Sequence, residues 1–155
     1  MLVGSPARAV IGIGNVLFRD EGVGVHAARA LLEQEVPPAI VVRDGGTEGL
    51  GLLDVIVGLE RLVLLDCVTG GGAPGTIYRF DWGDVPTGAA SATPTSQHQT
   101  DIGDVLRHVA LIGDTPRTTI IGVEPESLEL GLELSPAVAA AIPAVCRHAL
   151  EQFEA

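Results

Sequence analysis

The sequence predicts an α/β protein with helices on both faces of a five-stranded, mostly parallel (mixed) sheet, a three-layer α/β/α sandwich. Three observations carry this. Apolar strand-like segments alternate with segments of helical period in the order β-α-β-α-β-β-α-β-α. The unbroken apolar run Leu62-Val63-Leu64-Leu65 suits a strand covered on both faces. Two strands follow one another without a helix midway, which suggests a hairpin and one antiparallel strand. The 155 residues fit a single domain over 1–155, since no linker or internal repeat interrupts them.

The first strand is Ala9–Ile13, closed by the turn-forming Gly12 and Gly14. Asp20 and Glu21 precede a helix over 23–35, with Val25, Ala28 and Leu32 on one face and Pro37-Pro38 as its stop. Ile40-Val41-Val42 is the second strand, ending at Asp44-Gly45-Gly46. Thr47 is placed to cap a helix to about Val57, with Leu50, Leu53 and Val57 inward. The third strand ends at Asp66-Cys67, and Thr76–Phe80 alternates as a less buried fourth. Residues 81–99 lack periodicity and carry His98 near their end, a length of connection that is usually functional or mobile. Thr100 or Asp101 can cap the next helix, where Ile102, Val105, Leu106 and Val109 give the clearest amphipathic pattern in the chain. Thr118–Val123 is the last strand. Ser135-Pro136 opens a terminal helix with Val138, Ile142, Val145 and Ala149 on one face, and Pro143 should kink or split it.

Composition narrows the function classes. A net charge of -11 argues against nucleic acid or an anionic membrane as the main partner, because both require a basic face. Two cysteines without a CxxC fit free thiols in a reducing compartment. No run approaches the length of a membrane span, and the first residues lack the pattern of a signal peptide. A cytoplasmic protein is the expectation.

Ligands of open α/β sheets bind beyond the carboxyl ends of the strands. Those ends carry Asp20 and Glu21 after the first strand, Asp44 after the second and Asp66 with Cys67 after the third; the loop before the third helix adds His98. Carboxylates with an imidazole suit a divalent transition metal. Simpler roles stand beside this one. Asp20 or Glu21 can cap the first helix, Asp44 can be a turn residue, His98 can be a solvated loop residue, and Cys67 can be a small buried thiol. Asp66, directly after four apolar residues, is harder to explain structurally. His26, His108 and His148 belong to helix surfaces or boundaries. The glycine turn also admits a dinucleotide site, although Gly12-Ile-Gly14-Asn-Val-Leu17 lacks the third glycine of that motif and the nearby acids would oppose a pyrophosphate.

The segments Gly12–Val25 (GIGNVLFRDEGVGV), Asp44–Leu50 (DGGTEGL), Leu65–Val68, Ala73–Thr76, Ser96–Gln99 (SQHQ) and Gly122–Glu129 (GVEPESLE) resemble, in order, the [NiFe]-hydrogenase maturation endopeptidases. The resemblance implies a five-stranded mixed sheet between helical layers, phosphorylase/hydrolase-like in architecture. It also implies an activity, removal of the C-terminal extension of a hydrogenase large-subunit precursor after nickel insertion. The family's metal-binding and catalytic positions fall on Glu21, Asp66 and His98, and its substrate-recognition segment falls on Asp44, Gly45, Gly46 and Thr47. Nickel would arrive with the precursor, with no organic cofactor. The Ala/Ser/Thr/Pro-rich stretch at 88–96 is less typical of the family. No serine, cysteine or aspartic-dyad arrangement is evident. A non-enzymatic metal or precursor chaperone on the same scaffold is the alternative.

Overall fold

The computed structural model describes residues 7–84 and 102–154. Strands β1 (Arg8–Ile13), β2 (Ile40–Gly46), β3 (Arg61–Cys67), β4 (Ile77–Asp81) and β5 (Arg117–Val123) form one sheet in the order β2-β1-β3-β5-β4. The first four in that order are parallel, and β4 runs antiparallel to β5. The mixed sheet is therefore as expected, but the hairpin is not. β4 crosses over β5's position and pairs with it, so that β5, buried at six of its seven residues, takes the interior place beside β3. The half-buried β4 takes the edge.

Helices α1 (Val23–Leu32) and α4 (Pro136–Glu151) pack on one face, α2 (Leu53–Ile56) and α3 (Ile102–Ile112) on the other. The alternation of β3 divides its residues between two cores. Val63 and Leu65 join Val23, Leu31, Val138 and Val145, whereas Leu62 and Leu64 join Leu52, Ile56, Val105 and Leu106. This double burial is why β3 reads as an unbroken apolar run.

Several local expectations need correction. On α1 the inward residue is Leu31, in phase with the buried Val23 and Ala27, while Leu32 is exposed, and α1 ends there rather than continuing to 35. Between β2 and β3, a 3-10 turn (Gly49–Leu52) leads into a single turn of α-helix. Leu52 and Ile56 point inward, and Leu50 and Val57 are exposed. The residue before this turn is Glu48, and neither it nor Thr47 caps with its side chain. Gly49 at φ 54° explains the altered phase, since the left-handed residue breaks the helical period assumed from Thr47. The pattern of α3 holds at all four apolar positions. Pro143 does not split α4, which runs as one helix of 16 residues with Pro136 in its first turn. Among the described residues no helix is long and apolar enough to cross a membrane.

Candidate active site

The site is built where α1 leaves β1. Gly12 and Gly24 let helix and strands touch backbone to backbone. A Cβ at Gly24 would overlap the carbonyl oxygens of Leu65 and Ile13, and one at Gly12 would overlap the Gly24 carbonyl. The glycines of this stretch thus serve close helix–sheet packing. That packing brings the 3-10 turn Arg19–Gly22 against β3, so that Glu21 arrives beside the strand end carrying Asp66.

The two adjacent acids of this turn have opposite surroundings. Asp20 is fully buried and saturated. Its Oδ2 accepts from the amides of Glu126 (2.9 Å) and Ser127 (3.0 Å) and from the Ser135 hydroxyl (2.7 Å), and its Oδ1 accepts from the Ser135 amide (2.7 Å). Burial pushes its pKa up, but these bonds from Ser127, Ser135 and Glu126 outweigh it and hold the carboxyl below its ordinary value. Arg19, at φ 46°, is pinned in the same way: its amide donates to Gly131 O at 2.8 Å and its Nε to Glu133 O at 3.1 Å. Glu21 is 1% exposed, yet its Oε1 has no hydrogen-bond partner. Neither acid caps α1, whose N-cap position is Gly22 and lacks a side-chain cap bond.

Asp66 is also buried, at 2% exposure, and its Oδ1 accepts from the Cys67 amide at 2.7 Å. Cys67 is a buried thiol. Burial and the surrounding carboxylates of Asp66, Asp20, Glu21 and Glu124 push its pKa above the ordinary thiol value, which favours the protonated, less nucleophilic form. The loop after Asp66 is fixed by Glu124, whose Oε1 accepts from the Tyr78 hydroxyl (2.6 Å) and the amides of Gly70 (2.8 Å) and Gly72 (3.0 Å).

Asp44 lies on the same end of the sheet, paired in register with Gly12, which itself pairs with Leu65. It is partly exposed, and its Oδ2 accepts from Arg29 Nε at 2.9 Å. Gly45 is buried, Gly46 turns at φ 48° and its carbonyl accepts from the Gly14 amide at 2.9 Å, and Thr47 follows at the surface. This segment forms a rim beside the buried acids. His98 lies outside the described residues, as do Thr100, Asp101 and the stretch 88–96. Among the described residues no group of three His, Cys, Asp or Glu side chains stands close enough to hold a metal ion. Glu21 and Asp66 are two buried carboxyl groups at this end of the sheet.

Sequence reasoning missed three positioning residues. Ser135 occupies the N-cap position of α4 but gives its hydroxyl to Asp20; Arg29 engages Asp44; and Glu124 ties down the loop after β3. Only Glu124 carried a signal, standing directly after the last strand.

Known proteins share this family and fold. A family model described as hydrogenase maturation protease (HycI) matches residues 25–152. The hydrogenase expression/formation protein HupD of Rhodobacter capsulatus is 41% identical over 149 residues, covering 94% of this chain and 70% of that protein. The hydrogenase 2 maturation protease of Escherichia coli is 37% identical over 146 residues, covering 92% and 85%. Among solved structures, the hydrogenase maturating endopeptidase HybD of E. coli superposes with a TM-score of 0.81 at 31% identity, covering 94% of this chain and 90% of that one. The [NiFe] hydrogenase maturation protease HybD of Thermococcus kodakarensis gives 0.79 at 26% identity, covering 95% and 99%. The chain belongs to the hydrogenase maturation protease family.

Proposed function

We propose that this peptide-bond hydrolase removes the C-terminal extension of a [NiFe]-hydrogenase large-subunit precursor and recognises it through nickel already inserted there, with Glu21, Asp66 and His98 as the protein's ligands. The observation that carries this is the Oε1 of Glu21. It is buried and unpartnered beside a second buried carboxyl, which is costly unless a ligand completes it. Two carboxyl groups with an imidazole are a donor set that suits a divalent transition metal.

Topology supports the third ligand. The C-terminal end of α3 hands over through residues 113–116 to Arg117 at the amino end of β5. Its first residue, Ile102, therefore stands toward the carboxyl end of the sheet, and His98 precedes Ile102 by four positions.

Nickel is here part of the substrate. A metal held by these residues polarises a neighbouring carbonyl or lowers the pKa of bound water. The chain's own part is to hold the carboxyl groups rigidly, through Asp20 and the loop clamp of Glu124, and to present the Asp44–Thr47 rim to the peptide. Cytoplasmic placement accords with the two free thiols, Cys67 and Cys146, and the acidic charge disfavours nucleic acid as a partner.

The test is processing of a nickel-loaded precursor by Glu21→Gln, Asp66→Asn and His98→Ala. Each variant should stay folded and lose cleavage, and normal cleavage by all three would refute the assignment. Mass spectrometry of the precursor separates protease from chaperone, because only the protease releases a C-terminal peptide.

A further inference from the structure

We infer that the amino edge of the sheet, at the end opposite Glu21 and Asp66, is a binding site for a phosphate-class oxyanion formed by Arg8, Arg61 and Arg117. The strand register aligns these three residues. Arg8 pairs with Arg61 across β1 and β3, and Arg61 pairs with Arg117 across β3 and β5. Residues in register on parallel strands project from the same face, with backbones about 4.8 Å apart. The nine basic residues of the chain are all arginine, in a protein of net charge -11, and three of them stand in this one row.

None of the three makes an ion pair among the described residues. Arg61 is 8% exposed. Its Nη1 donates to the carbonyls of Leu62 (3.1 Å) and Arg117 (2.9 Å), and its Nη2 to Thr119 Oγ1 (2.7 Å), which ties β3 to β5. Its Nε is buried and has no partner. Phe153, at the end of α4, lies under the guanidinium at 6.0 Å. The clamp on β5 accounts for Arg61 Nη1 and Nη2. It does not account for the idle Nε or for two further arginines beside it.

These side chains surround a cavity of about 340 Å³, with Glu60 and Glu154 also on its wall. Three arginines and two carboxylates line it, and among the described residues no carboxylate forms an ion pair with any of the three; Asp81 reaches Arg61 only through Thr119. Arginine forks match tetrahedral and planar oxyanions in geometry, and an oxyanion in this cavity would supply a counter-charge to the row. Asp66 lies five residues along β3 from Arg61, roughly 16 Å away, so the edge is separate from the catalytic end.

The experiment is calorimetric titration of the full chain with inorganic phosphate, at an ionic strength held constant with chloride. It is run on wild type and on the Arg8→Gln/Arg117→Gln double variant. Both substituted residues are exposed at strand ends, and each single variant supplies the same comparison if the pair lowers stability. Saturable binding to wild type is expected, with the dissociation constant raised about tenfold or more in the double variant, as loss of a charge-assisted bond entails. A nucleoside monophosphate run in parallel distinguishes the sources. Tighter binding than phosphate assigns the site to an ester, and equal binding to the free ion. Absence of saturable binding to wild type, or an unchanged constant in the variants, overturns the proposal. Cleavage of precursor in phosphate-free buffer should be the same in variant and wild type, and its loss would overturn the separateness of this edge.

Discussion

At the carboxyl end of the sheet, buried acids meet with one oxygen of Glu21 left without a partner; at the amino end, arginines meet with the Nε of Arg61 left without one. Beside each idle atom stand groups whose bonds are complete. Asp20 accepts four hydrogen bonds next to Glu21, and Thr119 accepts from Arg61 while donating to Asp81 at 2.9 Å. The difference separates scaffold from ligand site. A buried polar group whose bonds are made within the chain stabilises the fold, and one whose bonds are unmade costs free energy until something else binds. Charge alone does not sort them, since Asp20 and Glu21 are neighbours of the same sign.

The comparison breaks most visibly at Asp20. Asp20→Ala strands the amides of Glu126, Ser127 and Ser135, and urea denaturation should show a loss of about 3–5 kcal/mol. Gly24→Ala should follow at about 2–3 kcal/mol, because the added Cβ meets the Leu65 and Ile13 carbonyls and backbone must move. Glu21→Gln should leave stability unchanged or raise it by about 1 kcal/mol, since it removes a carboxyl whose Oε1 has no partner. A loss as large as that of Asp20→Ala would erase the distinction between the two acids. Arg29→Ala should cost little, under about 1 kcal/mol, because its ion pair with Asp44 is exposed.

Acidity sharpens the contrast. The folded pKa of Asp20 lies below its ordinary value of 3.8, so its stabilising contribution is complete above that value and is lost as pH falls through the folded one. The stability gap between wild type and Asp20→Asn should therefore be constant near neutrality and close progressively below about pH 4. A gap that widens in acid would contradict the bonding described for Asp20.

Most of the element order was legible, because periodicity and length separate strands from helices without knowledge of neighbours. The pairing of β4 was not. Adjacency in sequence favours a hairpin, while burial favours the apolar β5 in the interior. Leu31 against Leu32 and Leu52 against Leu50 are phase errors. The first arises because Val23 and Ala27 set the buried face of α1, the second because a left-handed glycine resets the period. Glu21 and Asp66 could be singled out as acids at strand ends. The role of Asp20 could not, because its partners lie more than a hundred positions away and only the folded chain brings Ser135 to it. For the same reason the arginine row is invisible until the register of β1, β3 and β5 is known.

The central claim is that the carboxyl end of the sheet reads nickel carried by the precursor. It is tested most directly by incubating the wild-type chain with nickel-loaded and nickel-free large-subunit precursor and weighing the products by mass spectrometry. The account predicts a released C-terminal peptide from the loaded precursor alone. Equal release from the nickel-free precursor would contradict it.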